Sequence, residues 1–172
     1  MLTALRDMAR LAGRTALLVD VSGSMESPLT QRSELCRVDA ACGLAVLLRE
    51  LCDEVEVFSF SSHLVRVPRR RGFALCDAIV ASQPHGSTEL GHALAALRDA
   101  PVSRRYDRIL VITDEQSHDR VPPPLARGYI VNVASAQHGV GYGAWTHIDG
   151  WSEAVVDYIR GFESESPMPR PQ

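Results

Sequence analysis

Two short apolar segments constrain the fold more than any other feature of this sequence. They are RTALLVD (14–20), which ends in an aspartate, and DRILVIT (107–113), which is directly followed by one. Both read as strands that are apolar on two faces, which is typical of a parallel sheet covered by helices on both sides. The long stretch between them has room for the helical crossovers that parallel strands require. We therefore predict an α/β fold, a doubly wound three-layer α/β/α sandwich.

The remaining segments alternate as this fold requires. Further strands are predicted at EVEVFSF (54–60), HLVRVP (63–68), GYIVNVAS (128–135) and THI (146–148). The segment 63–68 follows its neighbour closely enough to form an antiparallel hairpin arm at the sheet edge. Helices are predicted at 34–51, 73–82, 88–100 and 151–162. The sheet is thus expected to be mostly parallel, with one antiparallel edge strand.

We expect one domain with two short extensions. The 172 residues and the 45% hydrophobic content suffice for a single core. An N-terminal helix is predicted within residues 1–13, because its apolar residues recur at helical spacing up to Gly13. The domain itself is assigned to residues 14–162. The charged, proline-rich segment 163–172 is predicted to be a disordered tail.

Charge and cysteine content narrow the range of partners and compartments. The net charge of -3 does not favour a polyanion held by overall charge, so only a local basic patch, Arg69, Arg70 and Arg71, is a candidate contact for RNA or for an acidic protein surface.

The four cysteines lack zinc-ligand spacing and are expected to be free thiols of a cytoplasmic protein. No apolar stretch approaches the ~18 residues of a membrane span, and we expect no membrane association.

Polar side chains follow the strands at the edge where we expect a ligand to bind. In doubly wound sheets, ligands bind outside the carboxyl ends of the strands. Three loops meet there in the predicted fold, and they bring oxygen atoms from carboxylates and hydroxyls. The candidate metal ligands are Asp20, Ser22, Ser24, Thr88 and Asp114.

Oxygen ligands without imidazole or thiolate select a hard divalent cation, Mg²⁺ or Mn²⁺. Two carboxylates and three hydroxyls do not complete an octahedron, so water or the acidic oxygen of a partner must do so. Glu115, Ser87 and His118 are predicted to accept or donate hydrogen bonds behind the ligands or to line the rim of the site. Two simpler interpretations stay open: Asp20 as a turn residue that binds backbone N–H groups, and Thr88 as the N-cap of the helix that follows.

These motifs also carry a resemblance to a known family. DVSGSM (20–25), Thr88 in GST and Asp114 in ITDE together resemble the metal-ion-dependent adhesion site (MIDAS) of von Willebrand factor type A (VWA) domains. The resemblance implies that Ser22, Ser24 and Thr88 are direct or near-direct ligands, and that Asp20 and Asp114 bind the ion directly or through water. It also implies a binding module whose cation captures a glutamate or aspartate of a protein partner.

A narrower likeness concerns the C-terminal half of the chain. ITDEQSHD (112–119), GYIVNVAS (128–135), GVGYG (139–143) and HIDGWSEAVVDYI (147–159) look like the VWA-like half of bacterial Ro (TROVE) RNA-binding proteins. In that family a ring of helical repeats carries the RNA. Only about 13 residues precede the first predicted strand, so we expect the ring to be supplied by a separately encoded partner.

The Ro likeness implies an alternative function, that of a ribonucleoprotein component. It would contact the ring, or would contact RNA through residues 69–71 and through an aromatic loop with Tyr142, Trp145 and Trp151. Packing of these aromatic side chains against the last strand and helix is the competing interpretation.

We do not expect an enzyme. His85 and His118 lie in loops near the predicted metal edge and are interpreted as rim residues. Ser22 and Ser24 lack the G-x-S-x-G surroundings of a nucleophile. A metal-dependent phosphoesterase would require a second metal or a base, and the sequence offers neither.

Overall fold

Six strands form one sheet in the computed structural model, which describes residues 10–100, 106–134, 143–150 and 154–165. The strands are β1 (Leu11–Asp20), β2 (Cys52–Phe60), β3 (Leu64–Arg66), β4 (Arg108–Thr113), β5 (Arg127–Asn132) and β6 (Thr146–Asp149). Their order across the sheet is β3-β2-β1-β4-β5-β6. Every neighbouring pair is parallel except β2 and β3, which pair antiparallel at the edge.

The helices are α1 (Arg37–Leu51), α2 (Phe73–Val80), α3 (Leu90–Asp99) and α4 (Ala154–Glu165). Successive side chains of a strand point to opposite faces, and two apolar clusters result. Leu17 and Val19 of β1 belong to the cluster that contains α1, α2 and α4, whereas Ala16 and Leu18 belong to the cluster that contains α3. The predicted fold class is confirmed.

Several element boundaries differ from the prediction, and three of these differences change a predicted segment or the place of a candidate site residue. Strand β1 already begins at Leu11, so the predicted helix cannot extend to residue 12, and the rest of that helix, up to residue 9, lies outside the described residues. Helix α3 begins at Leu90 rather than at residue 88. Helix α4 extends to Glu165, so residues 163–165 are not tail, whereas 166–172 lie outside the described part of the chain.

The predicted aromatic loop is described only in part. Trp145 is buried in the cluster that contains α3, and its Nε1–H donates to the carbonyl oxygen of Pro122 at 2.8 Å. Because this side chain packs inside the protein, it cannot stack on a nucleic-acid base. Tyr142 and Trp151 lie outside the described residues.

The cysteines agree with the expectation of free thiols. All four cysteines are free, and Cys42 and Cys52 are buried. Over the described ranges, no helix has the length and apolar content to span a bilayer.

Candidate metal centre

The candidate site lies at the carboxyl ends of the central strands β1 and β4. Asp20 ends β1, and Thr113 ends β4 beside it. The Thr113 hydroxyl donates to Oδ2 of Asp20 at 2.6 Å, and the backbone N–H of Ser22 donates to Oδ1 at 2.8 Å. The interpretation of Asp20 as a turn residue is therefore correct in one respect, because its carboxylate accepts a hydrogen bond from a backbone N–H. That hydrogen bond does not exclude a role toward a cation.

Three hydroxyls from two loops converge beside this carboxylate. Thr88 Oγ1 donates to Ser22 Oγ at 2.8 Å, and Ser22 Oγ lies 3.2 Å from Ser24 Oγ. These separations suit hydrogen-bonded hydroxyls. They also suit neighbouring ligands of Mg²⁺, which lie about 3.0 Å apart when the bonds are about 2.1 Å long and at right angles. The backbone N–H of Gly23 donates to the Gly86 carbonyl at 3.0 Å, which joins the two loops.

Asp20 is fully buried. Burial raises the pKa of its carboxyl group to about 6, because the charged form loses its hydration. The hydrogen bonds from Thr113 and Ser22 act in the opposite direction, and the negative charge of Asp114 adds to the increase. A positive charge placed next to a carboxylate in this environment stabilises its charged form.

Asp114 follows β4 and is also buried. Its Oδ2 accepts a hydrogen bond from Arg37 Nη1 at 2.7 Å. Its Oδ1 is buried and has no hydrogen-bond partner among the described residues. A buried carboxylate oxygen without a partner is unfavourable, and it marks where a further positive group would be stabilising.

Arg37 was missed by the sequence analysis. It is the first residue of α1, where a positive charge opposes the helix macrodipole. A basic residue in the first turn was therefore a signal that an acidic partner lies nearby. The sequence could not identify Asp114 as that partner, since 77 positions separate the two residues.

Thr88 is held by contacts that cross between loops. Its carbonyl oxygen accepts the backbone N–H of His118 at 2.9 Å. The carboxylate of Asp119 accepts the N–H groups of Gly91 and His92 at 3.0 and 2.7 Å, and so binds the first turn of α3. The N-cap of α3 is Glu89, so the interpretation of Thr88 as an N-cap is wrong. Its hydroxyl is directed to Ser22 instead.

The predicted rim residues differ in exposure. Ser87 and His118 are exposed, and the Ser87 hydroxyl donates to Glu89 Oε1 at 2.8 Å. Glu115 is buried and has a φ of 58°, a left-handed conformation that is uncommon outside glycine. His147 Nε2 lies 2.8 Å from Glu115 Oε1 without hydrogen-bond alignment. Burial raises the pKa of Glu115, and the His147 charge only partly opposes this.

His85 lies on the same side of the molecule as the candidate site, and it forms a contact at the surface. Its Nδ1 is 2.7 Å from Glu26 Oε1, and the hydrogen bond to Glu26 raises the pKa of the imidazole. Its Nε2 lies 3.2 Å from the carbonyl oxygen of Val80.

The three arginines 69–71 are not part of this site. Strand β3 runs antiparallel to β2, with Leu64 opposite Phe60 and Arg66 opposite Phe58, so the chain returns to the amino edge of the sheet. The exposed residues 69–71 follow there, and Arg69 lines a cavity with Arg14 and Thr15 at the start of β1. The structure thus places the predicted basic patch and the predicted metal ligands at opposite edges.

The residues present fit a hard cation bound by hydroxyls and carboxylates. Within the described part of the chain, no three His, Cys, Asp and Glu side chains form a group that could hold a metal. A metal centre here therefore requires the hydroxyls of Ser22, Ser24 and Thr88 in addition to the two aspartates. The unpartnered Oδ1 of Asp114 supports that donor set.

A family comparison agrees with this arrangement of strands and loops. The sequence-family model of the von Willebrand factor type A domain matches residues 15–116, which is more than half of the chain. No curated protein sequence shows significant similarity.

Solved structures share the fold at low sequence identity. The RO (RSR) protein of Deinococcus radiodurans has a TM-score of 0.69 and 17% identity, over 92% of this chain and 36% of that chain. The conserved hypothetical protein BatB of Bacteroides thetaiotaomicron has a TM-score of 0.56 and 14% identity, over 89% of this chain and 98% of that chain. The ArnB paralog VWA2 of Sulfolobus acidocaldarius has a TM-score of 0.51 and 15% identity, over 86% of this chain and 44% of that chain.

Proposed function

The chain belongs to the von Willebrand factor type A domain family, and we propose that it is a metal-dependent protein-binding module. In this proposal a divalent cation, Mg²⁺ or Mn²⁺, is held at the carboxyl edge of the sheet. A glutamate or aspartate of a partner protein completes its coordination.

The observation that carries this proposal is the unpartnered Oδ1 of Asp114. It lies in a site that already contains the fully buried carboxylate of Asp20. Within the part of the chain that the structure describes, Arg37 is the cationic group that contacts either carboxylate. A divalent cation would supply the missing positive charge.

The chain's own residues would divide the work between holding and orienting. The hydroxyls of Ser22, Ser24 and Thr88 would hold the cation, while Asp20 and Asp114 would bind it directly or through water. Thr113 keeps the Asp20 carboxylate in place through its 2.6 Å hydrogen bond. When bound, the cation supplies positive charge and a coordination position for a carboxylate oxygen.

The proposal can be tested with a random peptide library screened against the full chain in Mg²⁺. We expect the selected peptides to contain Asp or Glu, to be released by EDTA, and to lose binding when that residue becomes Asn or Gln. Ser22→Ala should abolish binding, because it removes the hydroxyl that contacts both Ser24 and Thr88.

Ser62→Ala is the matched control, since Ser62 also carries a hydroxyl at this edge and contacts Ser87 rather than the candidate ligands. It should bind the selected peptides as well as the unchanged chain does. Peptide binding that survives EDTA would contradict the proposal.

A second candidate function follows from the likeness to the RO (RSR) protein, whose fold covers 92% of this chain. The chain would then act as a ribonucleoprotein component that contacts a separately encoded ring or RNA. The exposed arginines 69–71 offer the basic contact. This function predicts retention on structured RNA that falls steeply with salt and is unaffected by chelation.

A further inference from the structure

Arg37 occupies an unusual position for a basic residue. It begins α1, where its charge opposes the helix macrodipole, and its side chain is only 16% exposed. Nη1 lies 2.7 Å from Asp114 Oδ2 and 3.5 Å from the carbonyl oxygen of Ser24. The guanidinium therefore joins two of the three loops that supply the candidate ligands.

The contact uses only one side of the Asp114 carboxylate. Arg37 binds Oδ2, whereas Oδ1 is buried without a hydrogen-bond partner among the described residues. A bidentate arginine pair would use both oxygens. The same carboxylate can thus face Arg37 with one oxygen and a divalent cation with the other.

Two positive groups on one carboxylate oppose each other. The charge of Arg37 lowers the negative potential at the site, and burial lessens the screening by water that would otherwise weaken this effect. Without Arg37, the metal-free protein would hold Asp114 as an unpaired buried charge, which is strongly unfavourable. Arg37 therefore stabilises the metal-free form and disfavours the metal-bound form.

We propose that Arg37 is a built-in counter-cation that lowers the affinity of this site for a divalent ion. The inference rests on the proposed function, and it adds a regulatory property to it. The carboxylate of a partner restores the negative charge that Arg37 neutralises, so cation and partner bind cooperatively. The site is then filled mainly when an acidic partner is present.

Titration of the full chain with Mn²⁺ alone, by isothermal calorimetry, tests this. Arg37→Gln removes the charge but keeps a donor for Asp114, and we expect it to bind Mn²⁺ about tenfold more tightly than the unchanged chain. Arg37→Lys keeps the charge and should bind like the unchanged chain. Arg49→Gln, which removes a charge from the last turn of the same helix, should also have no effect.

A second readout follows the stability of the same variants. In EDTA, Arg37→Gln should melt at a lower temperature than the unchanged chain, and saturating Mn²⁺ should remove this difference. If the variant does not fold in EDTA, recovery of the fold in Mn²⁺ supports the inference, and failure to recover overturns it.

The outcomes separate this inference from the proposed function. If the unchanged chain and Arg37→Gln bind Mn²⁺ equally, or if the variant binds more weakly, the role of Arg37 is overturned and the metal site stands. If neither protein binds Mn²⁺, both proposals are overturned.

Discussion

Asp20 ties the stability of this protein to pH. Its pKa is raised from 3.8 to about 6, chiefly by burial. A carboxyl group whose pKa is raised on folding contributes stability below its unfolded pKa, and this contribution is lost as the pH rises through the folded pKa. Near neutral pH the metal-free protein therefore holds an unfavourable charge at the end of β1. A shift of this size corresponds to at most about 3 kcal/mol.

We predict that Asp20→Asn stabilises the chain in EDTA at about pH 7.5 by about 1–3 kcal/mol, because the amide removes the buried charge. At about pH 4 the two proteins should be nearly equal, since Asp20 is then protonated in the folded state. At the higher pH, Mg²⁺ should make the unchanged chain more stable than Asp20→Asn, because the cation stabilises the folded protein only when residue 20 carries a carboxylate. Urea denaturation under the three conditions measures these differences.

Asp53→Asn is the control for Asp20→Asn. Asp53 is an exposed aspartate near the start of β2, at the other edge of the sheet, and its substitution should change stability little at either pH. Parallel pH dependence of the unchanged chain and Asp20→Asn in EDTA would contradict the assignment of the raised pKa to Asp20.

Helix α4 is anchored by one acidic residue near its end. Glu163 accepts hydrogen bonds from Arg108 Nε at 2.8 Å and Nη2 at 2.6 Å, and from the Tyr129 hydroxyl at 3.1 Å. Arg108 is buried and also donates to Thr15 Oγ1 and to the carbonyl oxygen of Ala12. This network joins α4 to the amino ends of β1, β4 and β5.

We predict that Glu163→Gln destabilises the chain by about 1–3 kcal/mol near neutral pH, because Arg108 loses its ionic partner inside the protein. Burial alone would raise the pKa of Glu163, but the hydrogen bond and charge of Arg108, together with the Tyr129 hydrogen bond and the charge of Arg127, outweigh burial and lower it. A lowered pKa contributes stability that is lost as the pH falls. The difference between the two proteins in urea denaturation should therefore shrink below the ordinary carboxyl pKa of 4.5.

Glu165→Gln serves as the matched control at the exposed end of the same helix, and its stability should stay close to that of the unchanged chain. If Glu163→Gln is as stable as the unchanged chain, the network does not anchor α4.

The whole molecule separates its two candidate surfaces. The candidate metal ligands lie at the carboxyl edge of the sheet, and arginines 69–71 lie at the amino edge after β3 has reversed the chain direction. Exposed charges at opposite ends of the strands are screened from each other at physiological salt, where the Debye length is about 8 Å. The two surfaces should therefore act independently.

We predict that the triple variant Arg69→Ala, Arg70→Ala, Arg71→Ala binds Mn²⁺ with an affinity within about twofold of the unchanged chain, as measured by calorimetry. Its retention on a structured RNA should fall if these arginines make the basic contact. A change in Mn²⁺ affinity of more than about fivefold would contradict the independence of the two surfaces.

The order and type of the elements could be predicted because they depend on local patterns. The apolar runs of β1 and β4, the alternation in β2 and the helical composition of α1 indicated their structures without tertiary information. Boundaries were less predictable. Glu163 lies in a segment with the composition of a disordered tail, but its contacts with Arg108, Arg127 and Tyr129 hold it in α4.

The sequence by itself determined the strands, their layering and the loops that end at one sheet edge, because hydrophobic period and strand polarity are local properties of the chain. Only the tertiary structure decided which charges meet there. Arg37 reaches Asp114, Thr113 reaches Asp20, and Arg69 faces the other edge. These contacts join residues far apart in the chain, and their distances depend on how the helices and loops pack rather than on any local pattern.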